Sequence, residues 1–83
     1  RVRDPLEAVS LAERAAELTG RQEIHPLDVL AAAYAAAGRF GEAVETARAA
    51  VDRAVALDQV ELATQIRRRL ELYLQNRPYL QPF

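Results

Sequence analysis

The chain has 83 residues, of which 51% are hydrophobic, and a net charge of −1. That length suits one domain rather than two, and the near-neutral balance lacks the basic footprint of a nucleic-acid binder. Cysteine is absent, which excludes a disulfide, a thiolate nucleophile and any cysteine-based metal site.

Composition then points to packed helices and an all-α fold class. There are 17 alanines against 3 glycines and 4 prolines. Alanine is the best helix former and lets helices approach closely. All 11 basic residues are arginine. No apolar run approaches the ~20 residues of a membrane span, so direct membrane insertion by this stretch is not expected. The chain opens on Arg1-Val2-Arg3 without a methionine and is read as a piece of a longer protein.

Four helices are predicted, at about 5–19, 26–37, 41–56 and 59–75. The first starts with Asp4 as N-cap, Pro5 at the first helical position and Glu7 completing a capping box. Leu6, Val9, Ala12 and Ala16 recur at helical spacing as its apolar face. Gly20 can take the left-handed conformation that stops it. Residues 21–24 read as a polar connector. Pro26 opens the second helix, whose apolar stripe is Leu27, Leu30, Ala31 and Tyr34. Gly38 ends that helix, and the third begins almost at once at Phe40 or Gly41. So short a link predicts an antiparallel hairpin.

The third helix carries Phe40, Ala43, Val44, Ala47, Ala50, Val51 and Ala54 inward. Asp58 and Glu61 read as a second capping box, opening a fourth helix with Leu62, Ala63, Ile66, Leu70 and Tyr73 as its stripe. Leu74 lies beside that stripe, and Asn76 can cap the end. Pro78 and Pro82 keep residues 77–83 extended. Between Val51 and Leu62 there is neither glycine nor proline. Fusion of helices three and four, with a swapped dimer as its product, is therefore the alternative at that junction.

The sequence also repeats. Glu7-Ala8-Val9 returns as Glu42-Ala43-Val44, 35 positions on, close to the roughly 34-residue period of tetratricopeptide repeats. Residues 27–54 resemble one such repeat, with Leu27, Leu30, Ala31, Tyr34, Gly38, Phe40, Ala43, Ala47 and Ala50 at its signature positions. Departures are Leu27 where a tryptophan is usual, Ala47 at a large position, and no proline after Ala54. The wider run is similar to the C-terminal tetratricopeptide segment of larger bacterial proteins, some of them membrane glycosyltransferase-like.

The resemblance implies antiparallel hairpins stacked as a short right-handed solenoid in a single domain, 1–83. Residues 1–24 would supply the second helix of a partial repeat plus a connector, and 25–57 one full repeat. Residues 58–76 would form a capping helix, and 77–83 an extended tail. It further implies a protein-protein interaction module or scaffold, binding a protein or peptide segment on a concave face. That face would hold His25, Asp28, Ala32, Ala35 and Ala36 of helix two with Arg68 and Arg69 of helix four, joined by Glu61 or Gln65. Asp28→Arg is then expected to weaken capture without unfolding the domain. The competing reading is a structural cap or self-association element, dimerising by tail docking or helix swapping.

No residue set suggests catalysis, a cofactor or a metal. His25 lacks ligand partners at useful spacing and has no nucleophile to serve as base. Arg67-Arg68-Arg69 spans roughly 200° of helix, too wide for one phosphate-binding face. It reads as a solvated surface with Glu71 placed to pair with Arg67 or Arg68; contact with anionic lipid or nucleic acid is the alternative. In the tail, Tyr79 and Leu80 either fold back over helix four or dock into a neighbouring chain.

Overall fold

The computed structural model describes residues 4–79, and all regular structure among them is helical. Helix α1 spans Pro5–Leu18, α2 Ile24–Ala36, α3 Phe40–Ala56 and α4 Val60–Leu74. Each packs chiefly on its neighbours in sequence, α1 on α2, α2 on α3 and α3 on α4. The links from α2 to α3 and from α3 to α4 are each three residues long, so the chain must double back at both.

All four helices stop in the same way. The residue after the C-cap turns left-handed, with φ of +63° at Gly20, +79° at Gly38, +60° at Asp58 and +58° at Asn76. Paired backbone bonds then seal the last turn in the Schellman pattern. In α1 they run from the Gly20 and Arg21 N–H groups to the Glu17 and Ala16 carbonyls, and in α3 from Asp58 and Gln59 to Val55 and Ala54. The same pairs close α2 and α4.

Asp58 is thus not an N-cap. It sits in the left-handed corner that ends α3, and Gln59 is the N-cap of α4, without a side-chain cap bond. An aspartate tolerates that corner because its short polar side chain reduces the left-handed penalty. The capping box expected from Asp58 and Glu61 is absent, and helices three and four are separate. The first N-cap is as expected, with Asp4 Oδ1 accepting from the Leu6 N–H at 2.9 Å. Helix α2 begins at Ile24 rather than Pro26. Proline is tolerated in a first turn because its missing N–H would have had no intrahelical acceptor, and Ile24 is buried in the core.

The core runs along α2 and α3. Leu27, Leu30, Ile66 and Tyr73 are its largest fully buried side chains. Burying an aliphatic side chain of that size contributes roughly 1.5–3 kcal/mol. Ala31, Ala43, Ala47, Ala50 and Ala54 are completely covered, and their small size lets the helices approach closely. Phe40 is half-buried against the same cluster. Two expected apolar positions face outward instead: Leu6 is 65% exposed and Leu74 51%. Helix α1 packs mainly on α2, so only its Val9–Ala12–Ala16 line is covered.

Candidate functional site

Asp28 on α2 and Arg69 on α4 are joined across 41 positions of sequence. Arg69 Nε and Nη2 donate to Asp28 Oδ1 and Oδ2 at 3.1 and 2.7 Å. Both side chains are mostly shielded, with 16% and 20% exposure. Two parallel charge-assisted bonds fix the plane of the guanidinium as a single bond would not. One face of that plane is covered by Tyr79, whose ring centroid lies 5.1 Å from Arg69 Cζ. The tail therefore folds back onto α4 at Tyr79; Leu80 lies outside the described residues.

Behind the pair lies Tyr73, 1% exposed. Its hydroxyl has no hydrogen-bond partner among the described residues. Burial, reinforced by the Asp28 carboxylate, pushes its pKa up to about 12.

An open trough runs from this pair along α4. Its first cleft, about 410 Å³, is lined by His25, Asp28, Val29, Ala32, Arg69 and Tyr79. A second, about 350 Å³, shares Arg69 and Tyr79 and adds Gln65, Arg68 and Leu72. A third continues past Gln65 and Arg68 to Glu61 and Val60. The trough therefore gathers His25, Asp28, Ala32, Arg68 and Arg69 from the expected concave face, with Glu61 and Gln65 alongside. Ala35 is not part of it. It is 2% exposed, because a spacing of four from buried Ala31 returns it to the inward side. Ala36 is exposed but does not line the trough.

The expected pairing of Glu71 with Arg67 or Arg68 does not occur among the described residues, where the only ion pairs are Arg39–Glu42 and Arg69–Asp28. Nor is any group of three or more His, Cys, Asp or Glu side chains placed there to hold a metal ion. No described helix is long and apolar enough to cross a membrane.

Two further polar features were not foreseen from sequence. Tyr34 donates to Glu13 Oε2 at 2.6 Å, tying α2 to α1. Arg39 lies over the Tyr34 ring, 4.8 Å from its centroid, and is forked onto Glu42. Burial first, and then the bond to Glu13, raises the Tyr34 pKa to about 12. Elsewhere, Arg53 Nε donates to the Gln22 carbonyl at 2.8 Å. That bond holds the α1–α2 connector to α3 and commits the cation of the cleft between Thr19, Ile24 and Leu57. Partners 21 and 31 positions apart leave no periodic signal.

No known family matches the chain, and neither a curated protein nor a solved structure matches it.

Proposed function

We propose that this chain is a tetratricopeptide-type module that holds an extended polypeptide segment in the trough between α2 and α4. The observation that carries the reading is the convergence of His25, Asp28 and Ala32 with Arg69 on one open surface, continued by Gln65 and Arg68. A trough of mixed polar and apolar lining suits a peptide held by shape, apolar contact and a few charges. The repeat reading is supported by correspondence of α1 with α3. Buried Val9, Ala12 and Ala16 fall 35 positions before Val44, Ala47 and Val51, of which Ala47 and Val51 are buried and Val44 half-buried. The module binds and positions; it carries no reaction of its own.

The test is selection of a displayed random-peptide library on the folded chain, repeated on Arg68→Glu. Arg68 is exposed and lines the trough, so its reversal leaves the fold intact. The reading expects a related set of peptides whose capture falls at least about tenfold, or 1.4 kcal/mol, on the variant. Failure to enrich any set, or enrichment indifferent to Arg68, overturns it.

A second reading has its own observation. Leu11 and Leu18, seven positions apart on one face of α1, are 48% and 82% exposed, an apolar edge suited to another helix. In that reading the chain is one end of a longer stack, or it self-associates through α1. A dimer that resists dilution and is lost in Leu18→Glu would favour it.

A further inference from the structure

We infer that the α2–α4 cleft is a seat for an aromatic side chain on another protein's extended segment, and that Tyr79 fills this seat from within the same chain. The inference rests on the polypeptide-binding reading and adds the chemistry of the ligand.

Asp28 takes up the Nε–Nη2 edge of Arg69 and holds the guanidinium plane still. Besides the N–H groups left on Nη1 and Nη2, the guanidinium offers its flat face, and an aromatic ring is the side chain that fits that face best. Tyr79 occupies that position. Its hold is slight. It is 36% exposed, and among the described residues no hydrogen bond anchors Pro78 or Tyr79. The chain reaches the seat through the left-handed corner at Asn76 and then Pro78, which keeps the preceding backbone extended. A ring delivered by a proline-containing, extended segment is therefore the geometry the seat already accepts.

Tyr79 is also the wall shared by the two largest clefts of the trough. Lifting it joins them, so a displacing segment gains Val29 and Ala32 on one side and Leu72 on the other. The guanidinium of Arg68 beyond, without an ion pair among the described residues, favours an acidic residue in the incoming segment.

The experiment uses the full chain, labelled with 15N, as wild type and as Tyr79→Ala. The probe is an acetylated synthetic peptide with the sequence of residues 76–83, beside the same peptide with alanine for its tyrosine. Tyr79→Ala is expected to keep its helical circular dichroism and bind the tyrosine peptide with movement of the Arg69 Nε–H resonance. Its Kd should be roughly two- to fivefold below that of the wild type, the ratio of one exposed cation–π contact. The alanine peptide should bind more weakly. Equal binding of both peptides, equal binding by both chains, or shifts remote from Arg69 would overturn the inference. So would a wild-type dimer abolished by Tyr79→Ala, which would make a second copy the occupant. Library peptides that still depend on Arg68 would then leave the broader reading standing.

Discussion

The Tyr34 hydroxyl lies 2.6 Å from Glu13 Oε2 and is the one side-chain hydrogen bond between α1 and α2 among the described residues. Helix α1 has little else polar to hold it, since its other covered residues are Val9, Ala12 and Ala16. Tyr34→Phe keeps the ring against the core and removes the donor. It should cost about 1 kcal/mol, lowering Tm by roughly 4–8 °C in a domain of this size. Tyr34→Phe combined with Glu13→Ala should cost less than the sum of the two alone. Strict additivity in thermal melts would show that the bond is not formed in solution.

Alkaline stability is set by two phenols. Tyr34 and Tyr73 both have pKa values raised to about 12, against about 10 in an unfolded chain. Below pH 10 both states keep the proton, and the contribution is fully present. Between about 10 and 12 the unfolded state loses protons that the folded state retains, so stability falls as pH rises. The chain has no cysteine and no lysine, so neither of those side-chain types adds a change of its own near that window. Denaturation midpoints should be level from pH 8 to about 10 and then decline, with the tyrosinate absorbance of Tyr34 and Tyr73 appearing late. A decline that begins near pH 9 would contradict this.

Asp58 carries a positive φ at the corner between α3 and α4. Asp58→Gly should stabilise the chain by up to about 1 kcal/mol, because glycine meets no left-handed penalty. Asp58→Val should do the reverse and favour a continuous helix through Ala54–Val60, bringing a dimer on gel filtration. A monomeric Asp58→Val of unchanged stability would mean that the corner is held by packing alone.

Asp28→Arg is not a neutral probe of the trough, contrary to what the sequence suggests. It removes a shielded bidentate acceptor and sets two guanidinium groups together. A loss of about 2–3 kcal/mol is expected, whereas exposed Arg68→Glu should stay within about 0.5 kcal/mol of wild type. Equal melting temperatures for the two variants would sink the distinction.

Helix number, the Gly38 corner and the alanine stripes were legible because they repeat locally: Ala43, Ala47, Ala50 and Ala54 announce one face of a helix by spacing alone. The Asp58 corner was misread because an aspartate followed three residues later by a glutamate fits a helix start as well as a stop. Ala35 was placed on the open face by the resemblance to the repeat, but the choice between two adjacent arcs of α2 depends on where α3 and α4 press against it. The Asp28–Arg69 fork and the Tyr34–Glu13 bond were out of reach of spacing altogether, since each joins distant helices by a contact that only the packed chain creates.

Because each helix leans chiefly on the one before and the one after it, the chain closes few long loops on the way to its final shape, and it should collapse quickly. Loss of order under stress should run from the outside inward. Amide exchange would fade first along α1, gripped mainly from one side, and last where α2 and α3 meet, so the two ends can breathe while the middle keeps its shape.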